Sequence, residues 1–195
     1  MDDAIIYNLK HGDDLERCDA IEYLSSFVDN DDIAEMIIER FDDKSYLVRC
    51  EAYEAFYGYE KKCLIDTLIR RLNNDRSKCA RMYICSTLIS MIKIFGVNKE
   101  QTQKICDYYH NEKGLNVLIG YWCIFYQIEK KDKYIAMVLN QLTHNDYHIR
   151  CNVVNFLTEI FDSKNKEMIK SELSKQMKRE GTKAVLELIE ASLKE

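Results

Sequence analysis

One arginine-centred frame returns along this chain at a near-constant interval, and it limits the possible folds more than any other feature. Arg17, Arg49 and Arg81 stand 32 residues apart, and Arg150 follows 69 residues after Arg81. Their settings are alike: Leu15-Glu-Arg17-Cys-Asp-Ala20, Val48-Arg49-Cys-Glu-Ala52, Cys79-Ala-Arg81-Met-Tyr-Ile84 and His148-Ile-Arg150-Cys-Asn-Val153. Because 69 is about twice the interval, a copy lacking its arginine is expected between Arg81 and Arg150. Gly114-Leu-Asn-Val117-Leu-Ile-Gly120-Tyr121 fills that gap, with Val117 in the arginine position and Gly120 in the alanine position. A weaker sixth copy is Gly181-Thr-Lys-Ala-Val185-Leu186. Self-similarity of this length marks units that cannot bury an apolar face alone and must pack on their neighbours.

The second copy shows what each unit is made of. Leu47, Val48, Ala52, Ala55, Phe56 and Tyr59 recur at three- and four-residue spacing, which places them on one face of a helix. Extended along the chain, the same periodicity predicts helices over 3–11, 14–27, 31–42, 45–59, 61–73, 76–95, 99–111, 114–129, 131–143, 146–162, 164–179 and 182–194. Five of the six glycines, at 12, 58, 96, 114 and 181, fall near these boundaries, where the chain must leave helical geometry. The acidic pairs Asp13-Asp14 and Asp31-Asp32 open two of the segments, where carboxylates accept free amides and oppose the helix dipole.

Asp43, Val48 and Arg49, and again Asp75, Ala80 and Arg81, make a turn aspartate followed by an apolar-arginine pair early in the second helix of a pair. This resembles the HEAT-repeat family, over nearly the whole chain. The chain has no proline, so the family's usual first-helix kink is not expected. The resemblance implies an all-α fold, a right-handed α-solenoid of about five to six HEAT-like helix pairs forming a single repeat domain over 1–195. It also implies scaffold or binding roles and says little about chemistry. The repeat arginines are expected to bond turn carboxylates or carbonyls of their own or the preceding repeat; the competing reading, a ladder for phosphates, needs arginines that are not already paired.

Composition excludes several classes. With 47% apolar and 31% charged residues, the chain is neither disordered nor membranous. Its longest apolar run, 117–126, is half of what a membrane-spanning helix needs, and the opening Met-Asp-Asp-Ala-Ile-Ile-Tyr is acidic where a signal peptide is basic. A cytoplasmic location is the expectation. The eight cysteines include no CxxC pair, and Cys18, Cys50 and Cys151 share a column with Met82 and Leu118, which reads as packing rather than metal binding. No cofactor and no metal site are expected.

Function is sought on the exposed face of the second helices. Counting from the arginine, positions plus two, five and nine point away from the packed side. They give a candidate partner-binding face that is acidic first, at Asp19, Glu22, Glu51 and Glu54, then aromatic and apolar, at Tyr83, Ile119, Trp122 and Tyr126. The 114–129 helix is apolar nearly all round, so it is either buried on every side or offers a patch to a partner. Charge adds a direction: residues 1–60 carry 17 acids against 5 bases, while the rest of the chain is net basic. An acidic face steers a basic protein and repels nucleic acid.

Signs of catalysis are sparse. His144 and His148 straddle a predicted turn, and Cys106 and His110 share a helical face without an acid partner. No phosphate loop, HExxH or GxSxG is present. The expected function is therefore binding a basic protein partner and not an enzyme activity. A small acidic module of this kind resembles a bacterial immunity protein that covers a basic toxin domain. The alternatives are a nucleic-acid-processing or pigment-binding enzyme that stacks its ligand on the aromatic residues, as HEAT-like alkylpurine DNA glycosylases do, and a regulatory adaptor.

Overall fold

A computed structural model describes residues 3–59 and 61–195; Met1 and Asp2 of the acidic N-terminal stretch lie outside it. The described residues form twelve α-helices and no strand, so the protein is all-α. They are α1 (Asp3–His11), α2 (Asp14–Ser25), α3 (Asp31–Ile38), α4 (Tyr46–Glu54), α5 (Ile65–Asn74) and α6 (Lys78–Phe95). Then follow α7 (Lys99–Tyr109), α8 (Leu115–Glu129), α9 (Asp132–Leu139), α10 (Tyr147–Glu159), α11 (Lys166–Met177) and α12 (Lys183–Lys194). Eleven of the twelve spans predicted from periodicity contain one of them; α5 follows a 3-10 turn, Lys62–Leu64, and runs one residue past its predicted end at 73, to Asn74.

The differences are at the ends. The segments 31–42 and 131–143 each finish in a tighter 3-10 turn, Glu39–Asp42 and Asn140–Thr143, rather than as one continuous α-helix. Helix α4 stops at Glu54 instead of 59 because the chain turns back through Gly58, whose φ of 77° is left-handed. That return seats Phe56 against Phe41 and Tyr59 against Phe56, and Phe41 also meets Tyr53 at 4.5 Å between ring centroids. Of the two acidic pairs, Asp13 caps α2, accepting from the amides of Leu15 and Glu16 while its own amide donates to the Glu16 carboxylate. At α3 the cap is Asn30, and Asp31 and Asp32 occupy the first turn.

Packing divides the chain into two compact units, Met1–Phe95 and Gly96–Glu195. In the first, α1 packs on α2, α2 on α4, and α4 on α6, with α5 against α6. In the second, α8 packs on α9 and α10, and α10 on α12, with α11 against α12. Within each unit the even-numbered helices thus form a row, and their apolar columns, Val48, Ala52 and Phe56 on α4 for example, are buried.

Within each unit, ion pairs run along the row. Arg17 donates through Nε and one terminal nitrogen to both carboxylate oxygens of Asp43, at 2.9 and 3.0 Å, and to the carbonyl of Gly12. Arg49 repeats this on Asp75, at 2.7 and 2.9 Å, and on the carbonyl of Asp43; Arg150 repeats it on Glu180, at 2.8 Å twice, and on the carbonyl of His144. Each arginine therefore bonds a carbonyl of its own repeat and a carboxylate of the following one, not the preceding one. The carboxylate does double duty, since Asp43, Asp75 and Glu180 also accept the amides of Ser45, Ser77 and Thr182 just ahead of α4, α6 and α12.

Candidate functional site

The acidic candidates come together. Asp19 and Glu22 lie on α2, Glu51 and Glu54 on α4, one helical turn apart in each case, and the contact of α2 with α4 sets the two pairs side by side. Glu22, Glu51 and Glu54, with Asp29, line an open groove of about 670 Å³ whose floor includes Ala55 and Tyr59. No cation neutralises them: Asp19, Glu22, Glu51 and Glu54 take part in no ion pair among the described residues, although arginines elsewhere in the same unit are paired. None is spent as a cap, because all four sit inside their helices.

The electrostatics follow from this arrangement. Burial raises the Glu51 carboxyl above its ordinary value, and the negative charges of Glu54, Glu22 and Asp19 raise it further. Glu54 is raised by burial and then by Glu22. Tyr83 on α6 borders the same field: burial, then the charge of Glu54, pushes its hydroxyl up to about 12, so it stays a neutral hydrogen-bond donor. A carboxyl whose folded value is raised opposes folding at neutral pH, and the penalty disappears only as pH falls below its unfolded value. The cluster is thus kept against the interest of the fold.

The other three candidates are elsewhere. Ile119, Trp122 and Tyr126 lie on α8, in the second unit, and are 0%, 8% and 2% exposed. The indole of Trp122 donates to the Tyr109 hydroxyl at 3.4 Å, and Tyr126 donates to Asp162 at 2.9 Å while its ring lies under the Lys130 ammonium. Of the two alternatives for α8, burial holds, and the expectation that Ile119, Trp122 and Tyr126 belong to an exposed partner-binding face is corrected: they are interior.

The cause is a register error of one residue. In the arginine-bearing helices the arginine is the fourth residue after the cap: Arg17 after Asp13, Arg49 after Ser45, Arg150 after Asp146. Gly114 caps α8, so the equivalent position is Leu118 and not Val117. Glu112 accepting the Gly114 amide at 2.6 Å, as Asp43 does for Ser45, fixes that frame. Shifted by one, Ile119 joins the packing column of Cys18 and Cys50, and Trp122 the column of the buried Tyr53. The signal that finds the right frame is the acid two residues ahead of the cap, which the arginine-based count passes over.

The remaining pairs lack ligand geometry. His144 Nδ1 accepts the Asp146 amide at 3.0 Å and His148 stacks on Tyr147; His110 Nδ1 meets the carbonyl of Cys106, not its thiol. Among the described residues no helix is long and apolar enough to cross a membrane. No protein-family model, curated protein sequence or solved structure matches the chain.

Proposed function

We propose that the chain is a HEAT-like α-solenoid that binds a basic protein through the face bearing Asp19, Glu22, Glu51, Glu54 and Tyr83, in the manner of a cytoplasmic bacterial immunity protein covering a toxin domain. The observation that carries this reading is the unneutralised carboxylate cluster on α2 and α4, in which burial and then the neighbouring negative charges raise the carboxyls of Glu51 and Glu54. Four negative charges on two packed helices, without an internal cation, cost stability that a bound lysine- or arginine-rich surface gives back. The adjoining Tyr83 adds an amphipathic contact of the kind that anchors interfaces. The repeat arginines are not offered as a ligand site, because Arg17, Arg49 and Arg150 are already engaged bidentately.

The test is co-purification from a strain expressing the adjacent genes, with wild type beside a variant carrying Asp19→Lys, Glu22→Lys, Glu51→Lys and Glu54→Lys at equal helical content. A basic protein retained by wild type and lost from the variant is the expected result. The same proteins captured by both, or none by either, contradicts the acidic-face reading.

A further inference from the structure

The row of even-numbered helices in the first unit begins with a face that its later members bury. In α6, α10 and α12 the tenth residue is where a row helix meets its predecessor. Thr87 of α6 donates to the Tyr53 carbonyl of α4 at 2.8 Å, the Phe156 carbonyl of α10 accepts from the Cys123 thiol of α8 at 3.8 Å, and Ser192 of α12 shares a 2.8 Å hydrogen bond with Thr158 of α10. All three of these tenth residues are buried. Helix α4 ends one residue short of that place, which falls to the half-buried Ala55. On α2 the tenth residue is Tyr23, and among the described residues no row helix precedes α2.

Tyr23 is accordingly 49% exposed, and Phe27, four residues on, is 48% exposed, whereas Tyr59, Met91 and Ile160 at the same place after α4, α6 and α10 are buried. The two rings lie 5.5 Å apart and make one continuous apolar step. Helix α1 packs on α2 yet leaves both in solvent.

The surroundings of the rings identify what fits them. The third residue of a row helix is the buried Val48, Ala80, Ile149 or Val185 on α4, α6, α10 and α12, but on α2 it is the exposed Glu16. Glu22, Ser25, Val28 and Asp29 alternate with the two rings along the same segment and line the groove of the acidic face. A second copy of the chain would set acid against acid, since residues 1–60 carry 17 acids and 5 bases, and no large apolar side chain of α12 is exposed for end-to-end stacking. A basic amphipathic helix meets both demands, with an apolar stripe for the rings and lysines or arginines on its flanks for the carboxylates.

We propose that a basic amphipathic helix of the partner protein lies on α2 where a preceding row helix would stand, with its apolar stripe seated on Tyr23 and Phe27 beside the acidic groove. The inference rests on the acidic face being the binding surface, and it adds which element of the partner is recognised and which two side chains anchor it.

The probe is a fluorescently labelled peptide of leucine and lysine, roughly 18 residues or five helical turns long, with leucines at three- and four-residue spacing. Its control has the same composition in an order that makes no stripe. Anisotropy titrations use the full chain at low ionic strength. Wild type is expected to bind the striped peptide about tenfold tighter than the control, as two aromatic anchors warrant. Tyr23→Ser/Phe27→Ser should bind both peptides at the control's level with unchanged helical content, while Tyr7→Ser, at an exposed aromatic on α1, should keep the preference. The two readings fail separately. No binding of either peptide by wild type, or undiminished binding by the variant carrying Asp19→Lys, Glu22→Lys, Glu51→Lys and Glu54→Lys, overturns the acidic-face reading and this inference with it. Equal wild-type affinity for the two peptides, or a stripe preference that survives Tyr23→Ser/Phe27→Ser, overturns this inference alone. Wild-type dimers in sedimentation that the double variant abolishes would give the rings to a second copy and also overturn it.

Discussion

At the scale of single residues, the arginine–carboxylate pairs explain why a frame as short as apolar-Arg is worth repeating. Side chains at the Arg150–Glu180 pair are 12% and 2% exposed, and Arg49–Asp75 is nearly as enclosed, at 14% and 3%. Removing one member of such a pair leaves the other as an uncompensated buried charge. Arg150 holds the Glu180 carboxyl down at about 2, from an ordinary 4.5, with help from the Thr182 amide. A depressed carboxyl contributes stability that is complete above its unfolded value and is lost as pH falls toward the folded one. Arg150→Ala is therefore expected to cost about 3 kcal/mol at pH 7, and the gap to wild type should narrow as pH drops from about 4.5 toward 2. Urea unfolding across that range measures it; a loss that does not vary with pH would show that Arg150 acts through packing alone. The arginines were legible in the sequence because a charged residue inside an apolar column stands out. Their direction was not, because whether a guanidinium reaches back or forward depends on helix packing that no single repeat contains.

At the scale of elements, spans were readable and ends less so. Periodicity of three and four located every helix because each buries one face. The 3-10 endings at Glu39–Asp42 and Asn140–Thr143 have no such periodic mark, since the tightening is imposed by packing against α4 and α10. Helix α8 was the harder case: with Leu118 where an arginine is usual, Val117 and Leu118 are both apolar and nothing polar marks the column. Its next turn agrees, for His144 stands where Asp43, Asp75 and Glu180 stand elsewhere, so donor and acceptor are missing together. The corrected register makes a sharp prediction. Trp122→Ala should cost about 3 to 5 kcal/mol, as expected for a large aromatic removed from a core. Glu54→Ala, on the exposed face of α4, should cost under about 0.5 kcal/mol or stabilise. Chemical denaturation of the two variants compares them directly, and a Trp122→Ala chain as stable as wild type would return that ring to the surface.

At the scale of the whole molecule, the sequence places an excess of acid in residues 1–60 and an excess of base in the remainder. Five of the eight residues chosen as a partner-binding face converge in the first unit, at Asp19, Glu22, Glu51, Glu54 and Tyr83. The four acids share α2 and α4, and charge inside an otherwise amphipathic helix has few structural uses once caps and ion pairs are accounted for; Tyr83 lies on α6, which packs on α4. The direct measurement is the affinity of the captured basic partner for wild type and for Glu51→Gln/Glu54→Gln, each at low and at physiological ionic strength. Binding through the acidic face predicts a wild-type affinity that falls as salt screens the groove, and a variant about tenfold weaker with a shallower salt dependence. Equal affinities and equal salt slopes for the two proteins would contradict it.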